Sequence, residues 1–189
     1  MSSDPAHWFA TQQGLIRVYQ EREKPQKGKA PPADDANKAG ASCEVVESRA
    51  REGDDPGLTR ESCTMIVNRM PKNASRLSYE LRKTGIFMVS VGAEGGDKPA
   101  AKTERLLLPA PIKVGKKWTE KRGKLVLERT VKSAGKPCKA AGRAFGDCLV
   151  LTVTEKEKAK VKRKLTETYA AGVGLVEDGQ WELMDLKGL

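Results

Sequence analysis

The stretch "TETYAAGVGLVEDG", Thr166 to Gly179, holds three glycines in eight residues beside valine and leucine. It reads either as a phosphate-cradling turn or as the end of one strand and the start of the next. A dinucleotide fingerprint needs G-x-G-x-x-G between a strand and a helix. Gly172 and Gly174 supply the first two glycines, but position 177 is Glu. The continuation "LVEDGQWELMDL" is strand, turn and strand, with Asp178-Gly179 as the hairpin turn. The glycines therefore serve a tight turn or bulge after the strand that carries Tyr169.

Working outward, β signals dominate. "FGDCLVLTVTE" is the strongest strand, and "GIFMVSV" reads as a buried one. "RLSYELR" alternates, with Leu77, Tyr79 and Leu81 on one side. By the same period Cys63, Met65 and Val67 share a face. Asp-Asp-Pro-Gly before Leu58 and Lys-Arg-Gly-Lys before Leu125 read as hairpin turns. "KEKAKVKRKL" is predicted as a long, partly exposed hairpin. As a single strand it would set Lys156, Lys158, Lys160, Lys162 and Lys164 on one face, an acidic-partner surface. As a helix its apolar stripe is poor.

Residues 1–7 read as a tail. Residues 21–42, rich in Pro, Lys, Ala and Gly, read as a mobile loop, because they bury too little to offset ordering entropy. The rest divides into a first β unit, 8–97, and a second, 98–189, with shared landmarks. Gly14, Tyr19, Cys43, Cys63, Tyr79 and Gly85 are matched by Gly115, Trp118, Cys138, Cys148, Tyr169 and Gly174. The expected fold is mainly β: an antiparallel curved sheet, β-sandwich or half-barrel of two similar meanders, related by internal duplication.

Composition narrows the function. The 189 residues are 38% hydrophobic and 32% charged, with three each of Trp, Tyr and Phe. No run of eighteen apolar residues occurs. Of the net charge of +10, residues 101–189 carry +9 (20 Lys+Arg less 11 Asp+Glu), which suits an acidic partner or a solvated lysine surface. The four cysteines lack zinc-finger spacing. The pairing Cys43–Cys63 and Cys138–Cys148 suits two hairpins in an oxidising compartment; the alternative is four buried thiols in a cytosolic protein.

"PAPIKVGKKW", "AFGDCLVLTV" and "TYAAGVGLVE" together resemble a pattern in poorly characterised bacterial envelope proteins, many of them lipoproteins. The matching residues are Pro111, Gly115, Trp118, Phe145, Asp147, Cys148, Tyr169, Gly172, Val173, Gly174, Leu175 and Val176, with Ala171 where proline is expected. The match covers roughly 108–178. It implies an antiparallel β fold outside the cytoplasm, in the periplasm or at the outer membrane, and transfers no catalytic residue. "MSSDP" reads either as a mature lipoprotein start with Met for its lipidated Cys, or as an ordinary start.

No enzyme is expected: His7 is the sole histidine, and no G-x-S-x-G, H-E-x-x-H or Walker sequence occurs. The sequence assigns no catalytic, cofactor-binding or metal-binding residue. The expectation is a non-enzymatic binding or assembly module of the envelope, contacting a protein or acidic surface. The alternatives are a carrier of an apolar ligand or lipid on a concave sheet, and a basic nucleic-acid-binding protein with Trp118 and Tyr169 as stacking residues.

Overall fold

The computed structural model describes residues 2–22, 39–67, 70–91, 102–140 and 142–188. Twelve strands form one antiparallel sheet that curls into a nearly closed barrel. In chain order they are β1 (Ile16–Glu21), β2 (Gly40–Arg49), β3 (Gly57–Val67), β4 (Met70–Arg82), β5 (Gly85–Val91), β6 (Lys102–Pro109), β7 (Lys117–Arg122), β8 (Leu125–Ala140), β9 (Arg143–Glu157), β10 (Lys160–Ala170), β11 (Gly174–Glu177) and β12 (Trp181–Lys187).

Every strand pairs with its sequence neighbours except β6 with β7, and β1 pairs with β12, so the two ends of the chain join in the middle of the sheet. The seam falls between β6 and β7, the two strands left at the sheet edges. Side chains span it: Arg105 Nη1 on β6 donates to Glu120 Oε1 on β7 at 3.2 Å. The expected hairpin turns stand where the sequence puts them. Asp178 accepts the Gln180 and Trp181 N–H groups on Oδ1, both at 2.7 Å, fixing the β11–β12 turn.

Three expectations are corrected. Residues 2–7 of the expected tail belong to a plug. Asp4 caps a 3-10 turn over Pro5–Trp8, accepting the Ala6 N–H at 2.9 Å, and Trp8 is completely buried. The Ser3 and His7 carbonyls accept the Ile112 and Gly172 N–H groups at 2.8 and 2.9 Å, and His7 Nε2 meets Asp147 Oδ2 at 2.7 Å. A buried indole outweighs the polar look of "MSSDPAH". Second, strands take the ends of the loop expected over 21–42: Glu21 closes β1, and Gly40–Ser42 open β2. Residues 23–38 of that loop lie outside the described residues. Third, a boundary at 97/98 would assign β6 to the second unit, but β6 pairs with β5, so the sheet divides into six strands and six after Pro109.

Each half begins alike. Gly14 N–H donates to Val45 O at 2.8 Å, and Val45 N–H returns to Leu15 O at 3.0 Å. In the other half Gly115 N–H donates to Val131 O at 2.8 Å, and Val131 N–H returns to Lys116 O at 2.9 Å. Each half carries a disulfide between its second and third strands, Cys43–Cys63 and Cys138–Cys148. Each fifth strand opens on a positive-φ glycine, Gly85 or Gly174.

Gly85 has no room for a side chain. At φ +146° its Cβ would stand 2.3 Å from the Leu108 carbonyl oxygen. Gly85→Ala is expected to cost about 1–3 kcal/mol, read as a lower urea midpoint; an unchanged midpoint contradicts it. The disulfides close spans of 20 and 10 residues. Changing either pair to serine is expected to cost about 2–4 kcal/mol in the same assay. Unreduced denatured protein should take up no alkylating agent, and reduced protein four equivalents.

Candidate functional site: the barrel lumen

A twelve-stranded ring is wider than side chains easily fill; eight strands already suffice for a packed or single-ligand interior. Here the interior holds a cavity of about 340 Å³, within the range of small-molecule sites. It runs from Phe9 on the plug to Met65, Arg122 and Trp181 near the opposite strand ends. Phe9 meets Tyr79 edge to face, with ring centroids 4.8 Å apart. A larger cleft of about 590 Å³ lies beside the plug, around Asp4, Arg49 and Arg82. Two of its three arginines have partners: Arg49 donates to the Pro56 carbonyl at 3.4 Å, and Arg82 to Glu80 and Glu104 at 2.5–2.9 Å. The lumen offers the more distinctive chemistry.

Its wall carries charge. On one side the Arg17 Nη2 donates to Glu61, and both residues are under 5% exposed. Burial pushes the Glu61 carboxyl above its ordinary value, and Arg17 offsets only part of this. Burial also lifts the Tyr19 phenol to about 12 and the Tyr79 phenol further, so both are neutral donors at physiological pH. The Tyr19 hydroxyl donates to the Leu175 carbonyl at 2.7 Å.

On the other side Arg129 is held at every nitrogen. Its Nε and Nη2 donate to Glu167 at 3.0–3.2 Å, and its Nη1 to Glu120 at 2.7 Å. Tyr169 donates to the same Glu167 at 3.2 Å. Glu120 also accepts from Arg122 at 2.6 and 3.2 Å. Burial works against its charge, but the Arg122 and Arg129 hydrogen bonds outweigh that and hold its carboxyl below the usual range.

Gly174 takes part in this wall. A Cβ there would lie 2.9 Å from Arg17 Nη1 and 3.3 Å from the Ala10 nitrogen. The glycine pair at 172 and 174 thus receives the plug, through Gly172 N–H to His7 O, and leaves space for a buried arginine.

The sequence-derived sites fare differently. Cys43, Cys63, Cys138 and Cys148 form the expected two disulfides, and the first lines the lumen. Cys43, Cys63 and Glu61 place donor atoms within 4.8 Å, but the two sulfurs are bonded to each other and are not thiolate ligands. The five lysines do lie on a β-hairpin, yet do not all share one face. The chain turns at Lys158-Ala159, both at positive φ, and a bulge follows Val161. Lys156 and Lys164 keep one face, and Lys160, opposite Glu157, takes the other. Carboxylates also dilute the charge: Lys156 pairs with Glu128 at 2.6 Å, and Lys162 with Glu157 at 3.1 Å.

Sequence reading missed the lumen charges, although parity marks them. Glu61 shares the period of Cys63, Arg129 that of Leu127 and Val131, and Glu167 that of Leu165 and Tyr169. No family model, curated protein or solved structure was found to match this chain. Among the described residues no helix is long and apolar enough to cross a membrane.

Proposed function

We propose that this is a non-enzymatic binding protein of the bacterial cell envelope, which carries a small amphipathic molecule in its barrel lumen. The observation behind it is the cavity itself. A cavity of about 340 Å³ walled by Arg17, Glu61, Glu167 and three tyrosines spends desolvation energy that an apolar lining would not. Such a wall is of use when something polar on one part and apolar on another is held against it. The two disulfides favour an oxidising compartment, and the envelope resemblance agrees. The broken lysine face makes a lumen ligand a better reading than an acidic protein surface. The matched hydrogen bonds around Gly14 and Gly115 support a barrel made by duplicating a six-strand unit.

Native mass spectrometry of protein isolated from its own cells tests the reading. The expected spectrum shows a one-to-one complex that collapses to the chain mass on unfolding. Leu175→Trp, which places an indole in the cavity, should abolish the adduct. A bare chain mass in the untreated wild type would count against carriage.

A further inference from the structure

The lumen wall is balanced in charge. Arg17, Arg122 and Arg129 face it, and so do Glu61, Glu167 and Asp178. Four of these six are well supplied, and Glu61 accepts from Arg17. Arg129 uses each nitrogen, Arg122 binds Glu120 twice, Glu167 takes Arg129 and Tyr169, and Asp178 caps its turn. Arg17 is the exception. Its Nη2 goes to Glu61, while its Nε is buried with no partner. A buried donor without an acceptor costs about 1–3 kcal/mol, so a guanidinium that turns toward an acceptor arriving in the lumen is relieved of a standing penalty.

Two features define that acceptor. Arg17 is already neutralised by Glu61, so a second anion beside the pair would leave an uncompensated buried charge. A neutral oxygen, from an ester, amide or ketone carbonyl, meets the donor without upsetting the balance. Apart from the charged residues and tyrosines, the wall is largely apolar, with Phe9, Leu77, Met88, Leu107 and Leu175. We infer that the lumen selects a neutral molecule with an apolar body and a carbonyl oxygen that accepts a hydrogen bond from the Arg17 guanidinium. This rests on the carrier reading above and adds the ligand's chemical class.

Two fluorescent naphthalenes test it on the full chain, after any native ligand has been removed by unfolding and refolding without reductant. One is the neutral ketone 6-propionyl-2-(dimethylamino)naphthalene, whose emission shifts to the red when its carbonyl accepts a hydrogen bond. The other is the anion 1-anilinonaphthalene-8-sulfonate. The ketone should bind at least tenfold tighter than the sulfonate, with emission red of its value in hydrocarbon. Arg17→Lys keeps the charge opposite Glu61 but removes Nε, and should weaken the ketone about tenfold while leaving the sulfonate unchanged. Leu175→Trp should exclude both probes. If Arg17→Lys does not fold, the wild-type emission decides: a hydrocarbon-like blue band overturns the assignment of Arg17. Tighter sulfonate binding that Leu175→Trp abolishes overturns the neutral-ligand class but leaves carriage standing. Failure of both probes to bind wild type, or binding that Leu175→Trp leaves intact, overturns the ligand assignment and withdraws support from the carrier reading.

Discussion

Glu120→Ala should cost about 3–5 kcal/mol of folding stability, among the largest single-residue losses in this protein. The figure is that of removing one partner from a buried ionic network, which strands the others. Here three arginines are affected. Arg129, 3% exposed, loses the acceptor of its Nη1, Arg122 loses both its bonds, and Arg105 loses its contact across the seam. The seam has no ladder to fall back on, because β6 and β7 are sheet edges. Urea unfolding followed by circular dichroism measures the loss. A shift below about 1 kcal/mol would show that water replaces the carboxylate, and would falsify the view of Glu120 as the clasp.

Acid titration gives the same residue a second signature. The folded-state pKa of Glu120 is depressed, so its contribution is present above the unfolded carboxylate value and lost as pH falls through the folded one. Glu61 has the opposite sign. Its folded pKa is raised, so its protonated form favours the fold below the unfolded value, and that advantage fades as pH rises through the folded one. Glu120→Gln should therefore flatten the acid limb of the stability profile. Glu61→Gln should flatten the rise in stability on going from neutral pH toward mild acid. The two variants moving the profile in the same sense would contradict the assignment.

Strand identity was legible because local chemistry decided it. Alternation in "RLSYELR" and the turn residues before Leu58 and Leu125 act over a few positions, and they mark β4, β3 and β8 correctly. The cysteine pairing was legible for the same reason, as each pair closes one hairpin. What stayed hidden is long-range. Arg17 and Glu61 lie 44 positions apart, and Arg129 and Glu167 38 apart. Each strand taken alone shows a charge in step with its core-facing residues, but not the partner on a distant strand that neutralises it. The lysine stripe failed for a local reason: a positive-φ turn at Lys158-Ala159 and a bulge after Val161 reset the alternation, and neither residue pair is glycine or asparagine, which usually announce such turns. The plug failed because a polar leader hides one decisive residue.

That residue, Trp8, supports the second large expectation. Trp8→Ala should cost about 3–5 kcal/mol, the usual range for emptying a buried aromatic site. Trp8 is fully buried in a cluster with Phe9, Ile112 and Trp118, so little surrounding chain can collapse into the gap. Its ring also holds His7 edge to face at 4.6 Å, and His7 ties the plug to Asp147 and Gly172. Loss of the indole should free the plug as a unit, so hydrogen exchange at the Gly172 amide should quicken more than at amides of β3. Trp8→Phe is the informative control. The Trp8 Nε1 is buried without a partner, so phenylalanine keeps most of the ring contacts while deleting an unsatisfied donor. The phenylalanine variant should recover most of the alanine loss. If it is instead as unstable as alanine, the indole nitrogen has a partner in solution, and the plug is held by that bond and not by packing.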